Sequence, residues 1–128
     1  MNLATYRDNI RQALQTLAPG EVIACDYLPE TATLGGVAYI ISGVNGESTI
    51  AGDYTIRSVS VTAYVGKRTR AAVDELVHRL TDIPSRYTYG TVNNMLVTNV
   101  SDMQYNPASD IWYSAVISYT VYVRANNG

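Results

Sequence analysis

The sequence predicts an α+β fold, a mixed or antiparallel β-sheet with two helices packed on one face, in the order α-β-β-β-α-β-β. Three observations carry that reading. Arg57, Val59, Val61, Ala63 and Val65 alternate with Ser58, Ser60, Thr62 and Tyr64, the period-two pattern of a strand with one packed and one wetter face. At Gly66 the period changes, and Val73, Leu76, Val77 and Leu80 recur at i, i+3, i+4 and i+7, one apolar stripe along a helix. The turn between them, Gly66-Lys67-Arg68-Thr69-Arg70, is short. The helix therefore folds back onto the apolar face of the sheet that holds the strand.

The other elements follow in order. Leu3, Tyr6, Ile10, Leu14 and Leu17 recur at three- and four-residue steps, as in an amphipathic helix. Asn2 is placed to cap its start and Pro19-Gly20 to end it. Residues 21–27 form a short strand candidate, broken by the Pro- and Gly-containing run 28–36. Val37–Ser42 reads as a strand apolar on both faces, suited to the middle of a sheet or to an outer face covered by another subunit. Residues 43–52 read as a flexible loop, with Asn45-Gly46 as a turn signal; a tight hairpin centred there and a mobile loop both fit. The organising strand and helix come next, and Ile83-Pro84 closes the helix. Residues 85–91 suit a loop or a short strand, Met95–Val100 a strand, and Asn106–Asp110 a turn. The last strand is the longest, alternating from Ile111 to Val123, and residues 124–128 are expected to fray.

A chain of 128 residues suits a single domain, 1–128, that buries roughly two-thirds of its unfolded surface. Eleven Tyr, one Trp and no Phe fit half-buried sheet faces, through plain β-propensity or through use at interfaces. Nine basic and eleven acidic residues give a net charge of −2, which argues against wrapping nucleic acid by general electrostatics. Cys25 is the sole cysteine, so no internal disulfide and no cysteine-rich metal site can form. The charged N-terminal stretch has no apolar signal core, and no run of about eighteen apolar residues predicts a membrane span.

Candidates for chemistry are few. A lone His78, one residue past Val77 and off the apolar stripe, is expected at the surface or boundary of the second helix. Cys25, flanked by Ala24 and Asp26, is expected to be a small buried hydrophobe; a nucleophilic pair with His78 would lack an activating motif. Gly43–Gly52 lacks the Lys-Ser/Thr ending of a phosphate loop. Asp74 and Glu75 are expected in the first turn of the second helix, where they complement its dipole. Lys67, Arg68 and Arg70 make the one dense basic cluster. Because positive charge opposes the dipole at a helix N-terminus, the cluster reads as a contact to an acidic or phosphate-bearing partner, or else as a solvated turn.

This succession resembles the tail-terminator, or tail-completion, proteins of long-tailed bacteriophages. The residues that carry the likeness are the first helix ending at Pro19-Gly20, the Gly43–Gly52 segment, the alternating IRSVSVTAYV with Arg57 near its start, the helix TRAAVDELVHRL, and the closing WYSAVISYTVYVRA. The likeness spans nearly the whole chain and rests on element order, length and strand texture. It implies a structural protein, not an enzyme, with no cofactor, located in the virion at the head–tail junction after assembly in the host cytoplasm. It implies a homo-oligomeric ring, a hexamer in that family, that caps the tail tube protein, meets the head-side connector or stopper, and lets DNA pass through its lumen without a membrane partner. By position alone it points to Asn45, Gly46, Glu47, Ser48 and Thr49 as residues that reach the tube or a neighbour. Arg57, Lys67, Arg68 and Arg70 complete the candidate interface.

Two rival readings remain open on the sequence. One is another phage tail or neck structural protein, a tube subunit or a head–tail adaptor, since fold alone does not settle function. The other is a small ligand-binding or catalytic domain, with Cys25, His78, Arg57 and Asp53 as its candidates.

Overall fold

The structure, a computed structural model, describes residues 3–20, 22–25, 36–51, 54–84, 88, 92–105 and 113–126. The first helix, α1, spans Leu3–Leu17 and buries Ile10, Ala13 and Leu14. The Ala18 amide donates to the Leu14 carbonyl at 3.0 Å. Pro19 cannot continue the helix, and Gly20 follows at φ 77°, a left-handed conformation that glycine adopts without Cβ strain. Asn2, expected as the cap, lies outside the described residues. Strand β1 covers Val22–Cys25.

The next strand corrects the predicted loop. Strand β2 runs from Gly36 to Ala51 and pairs antiparallel with β3, Tyr54–Lys67, from Gly36↔Gly66 to Ala51↔Tyr54. Residues 43–51 are thus strand, and the chain reverses after Ala51 instead of at Asn45-Gly46. Asn45, Gly46 and Glu47 fall opposite Ser58 alone, between the pairs Val44↔Val59 and Ser48↔Arg57. The turn signal at Asn45-Gly46 was absorbed as a bulge, which inserts residues into one strand and leaves pairing intact on both sides. Gly52 and Asp53 lie outside the described residues.

Helix α2 spans Arg70–Thr81. Its N-cap is Thr69, whose hydroxyl accepts from the Ala72 amide at 3.3 Å, satisfying one of the unpaired donors of the first turn. With the helix starting at Arg70, Asp74 and Glu75 fall in the second turn, which corrects their expected role at the dipole's positive end. Glu75 instead accepts from Arg79 at 2.7 Å, an exposed i,i+4 pair. The remaining strands are β4, Val92–Val100, β5, Gln104–Tyr105, and β6, Tyr113–Asn126. The sequence reading missed the two-residue β5. Residues 124–126, expected to fray, pair with Ile56, Thr55 and Tyr54. The predicted turn at 106–110 lies outside the described residues.

The sheet is mixed, in the order β1-β2-β3-β6-β4, with β5 beside β6. β1 lies parallel to β2 and the other neighbours are antiparallel. Central placement between β1 and β3 explains the all-apolar texture of Val37–Ile41: Val37, Ala38 and Tyr39 are buried, and Ile41 packs against the core.

One cluster forms the core. Ile10, Leu14 and Ala18 from the α1 region and Val73, Leu76 and Leu80 from α2 meet Val59 to Val65 of β3 and Ala115 to Val123 of β6 at alternate positions. Both helices therefore cover one face, as the two periodicities predicted. Tyr119 ties the layers together. Its ring is buried, and its hydroxyl donates to the Leu80 carbonyl at 2.7 Å. That carbonyl is in the last turn of α2, where no amide of the helix remains to pair with it. Burial pushes the Tyr119 phenol far above its ordinary range, because the phenolate would have to form away from water.

Candidate assembly interface

The predicted interface residues divide into two groups, and the structure sets them at opposite ends of β3. At one end, Asn45 to Thr49 of β2 lie alongside Ile56, Arg57 and Ser58 of β3. Arg57 itself sits in register between Ser48 on one side and Val123 on the other. The backbone ladder thus brings Arg57 to the same three-stranded end as the five residues singled out around Asn45-Gly46. The side chains of Asn45 to Thr49 and of Arg57 lie outside the described residues.

At the other end, Lys67 closes β3 and Arg70 opens α2. Arg68, Thr69 and Arg70 are exposed, whereas Lys67 is half-buried and in register with Tyr113. Ten residue steps along the strand lead from Arg57 to Lys67, a span of roughly 33 Å at the usual strand rise. The two groups cannot form a single patch.

The face of the sheet away from the helices has its own chemistry. Ser58, Ser60, Thr62 and Tyr64 of β3 and Ser114, Val116, Ser118, Thr120 and Tyr122 of β6 are half-buried there. None of these nine residues is charged. Hydroxyl groups dominate, so the face is polar without carrying a strong field of either sign.

The sequence reading also missed a set of apolar residues on the sheet edge. Leu96, Val100 and Tyr105 are the large hydrophobic side chains exposed among the described residues, at 45%, 42% and 58%. All three belong to β4 and β5. The Tyr105 ring rests on Tyr113 with centroids 4.9 Å apart and planes tilted by 34°. Leu96 was hard to find because Met95–Val97 is a continuous apolar run, in which strand phase alone decides which side chain faces the core. Met95 is buried and Leu96 points the other way.

Of the residues considered for catalysis, Cys25, His78, Arg57 and Asp53, only His78 has a described side chain. His78 is exposed on α2, as expected for a surface histidine. Cys25 ends β1 with its side chain outside the described residues, and Asp53 lies outside them altogether. Among the described residues no group of three or more His, Cys, Asp or Glu is placed to hold a metal ion. No helix among them is long and apolar enough to cross a membrane.

No protein-family model matches the sequence, and no curated protein matches it. Among solved structures the chain is similar to one in the virion of the native gene transfer agent particle, with a TM-score of 0.52 and 8% identity. The match covers 93% of this chain and 94% of that one. At that identity the likeness is one of backbone architecture, and it extends over the whole domain in both proteins.

Proposed function

We propose that this chain is a structural protein of a phage-like virion, and within that class a tail terminator whose ring caps the tail tube and joins it to the head-side connector. The observation that carries the class is the whole-chain fold likeness to a chain of a gene transfer agent virion. A small domain that matches end to end, without large unmatched additions, has the same body available for the same kind of packing. The finer assignment rests on the resemblance of element order and strand texture to tail terminators, and several physical features suit it.

The first feature is the two-ended placement of the candidate contacts. The end carrying Asn45 to Thr49 and Arg57 reaches one neighbouring layer, and the end carrying Lys67, Arg68 and Arg70 reaches another, acidic surface. The second is the uncharged, hydroxyl-bearing sheet face. A ring that lets DNA pass needs a lining that solvates a polyanion without collecting its phosphates, because each Lys or Arg contact adds salt-dependent retention. A lining of Ser, Thr and Tyr residues meets that requirement. The ring is the family's hexamer, its partners are the tube protein and the connector, and DNA is a passenger.

A polymerisation assay tests the assignment. Tail-tube subunits assembling alone should give tubes of broad length, and a small molar fraction of this protein should stop growth and appear as a distinct terminal ring. Incorporation of the protein along the whole tube would transfer the assignment to a tube subunit. Charge reversal of Lys67, Arg68 and Arg70 should abolish attachment to the partner layer while leaving the fold unchanged; attachment at the wild-type level would remove the basic turn from the interface.

A further inference from the structure

We propose that the β4–β5 edge is the contact between copies of this chain, and that β4 of one copy pairs antiparallel with β1 of the next. The inference rests on the reading of the protein as a ring and adds to it which surfaces meet.

The first ground is exposure. The large hydrophobic side chains exposed among the described residues all lie on this edge: Leu96 and Val100 on β4 and Tyr105 on β5. The second is the absence of guarding chemistry. Sheet edges left in solvent are commonly blunted by lysine, by proline or by inward-pointing charges, because their unpaired amides and carbonyls template pairing with another chain. Val92–Val100 contains no charged residue and no proline. Its register shifts, between Val92 and Asn94 and between Val97 and Asn99, bracket a regular stretch from Asn94 to Val97. That stretch is four residues long, the length of β1.

The third ground is direction. β1 runs with β2; β3 runs against β2, β6 against β3, and β4 against β6. β1 and β4, the two edges of the sheet among the described residues, therefore run in opposite senses. When copies are related by rotation about an axis along the strands, β4 of one meets β1 of its neighbour antiparallel, the better-bonded arrangement. This contact uses different surfaces on the two copies, the heterologous type that closes into rings. β1, Val22-Ile23-Ala24-Cys25, is likewise uncharged, so neither of the two pairing strands brings a charge into the joint.

Cys25, the sole cysteine, sits at the end of β1 and makes the contact testable in the full chain. Single cysteines introduced along β4, at Asn94, Leu96, Thr98 and Val100, should at one or two of these positions give intermolecular disulfides under mild oxidation. The products should form a ladder that ends at the ring size, and Cys25→Ser should reduce them at least tenfold. A cysteine at His78 on the exposed helix face should stay uncoupled. In parallel, Leu96→Lys with Val100→Lys should convert the oligomer to monomer with the melting temperature little changed. Dimers that persist after Cys25→Ser would mean that β4 pairs with its own copy and would overturn the proposal. It would also be overturned by oligomers lacking any β4–Cys25 cross-link, or by a monomer at every concentration. Rings without the cross-link would sink this contact and leave the terminator reading standing. Cross-linked filaments in place of rings would do the reverse.

Discussion

On β3 and β6 the odd-numbered residues Val59 to Val65 and Ala115 to Val123 are buried against the two helices. On the same strands the even-numbered residues, Ser58 to Tyr64 and Ser114 to Tyr122, are half-buried and uncharged. The backbone ladder is shared, so the difference lies wholly in the side chains. The helix face is built from branched aliphatic groups that interlock and exclude water. On these two strands the open face is built from the hydroxyls of Ser and Thr, two tyrosines and Val116. The comparison shows one sheet with one face packed for stability and the other left polar and uncharged.

Substitutions on the two faces should separate these roles. The largest effect is expected from Ile117→Ala, at the fully buried centre of β6. Loss of its packing and the cavity left behind should cost about 2–5 kcal/mol, seen as a lower denaturation midpoint. Next is Tyr119→Phe, which removes the bond to the Leu80 carbonyl and leaves that buried acceptor unpaired, at about 1–3 kcal/mol. The same variant has a pH signature. In the folded protein the Tyr119 phenol is held protonated well above its ordinary range, so the folded state keeps a proton that the unfolded state releases. The stabilisation is complete below an unfolded phenol's pKa of about 10 and declines as pH rises above it. Alkaline titration of stability should therefore show a shallower decline in Tyr119→Phe than in the parent.

Smaller effects test the boundary of the helix layer and then the open face. Thr69→Ala removes the cap on α2 and should cost about 1 kcal/mol. Thr62→Arg with Thr120→Arg places charge on the open face, where each change should alter the stability of the monomer by no more than about 0.5 kcal/mol. Their effect should appear elsewhere. Duplex DNA should be retained by the assembled variant at low salt and released as salt rises, while the parent retains none. A large loss of monomer stability from this pair would contradict the division between the faces.

Much of the fold was legible because it rests on simple periodicities. The two-residue alternation of β3 and β6 and the helical stripes of α1 and α2 each reflect a face that must be apolar to be buried. What was not legible had no such pattern. Residues 43–51 read as a loop because Gly43 and Asn45-Gly46 signal turns, yet backbone pairing holds them as strand and accommodates the turn signal in a bulge. A backbone accounting would have helped. A strand beginning near Asp53 needs hydrogen-bond partners from its first residue, and Ser48–Ala51 was the segment positioned to provide them. The Tyr119–Leu80 bond joins residues 39 apart and depends on the folded arrangement, as do the exposure of Leu96 and the pairing of β5. The sequence singled out the residues around Asn45-Gly46 and the basic turn as candidates. It could not show that β3 holds them at opposite ends, or that the exposed apolar residues gather on one edge.

A tail terminator must assemble into a closed layer. Light scattering on the purified protein across a range of concentrations, with negative-stain images of the largest species, tests it most directly. The expected result is one limiting mass of about six copies, the number the resemblance to tail terminators implies, seen as rings with an open lumen. Mass that keeps growing with concentration, imaged as open filaments, would contradict it.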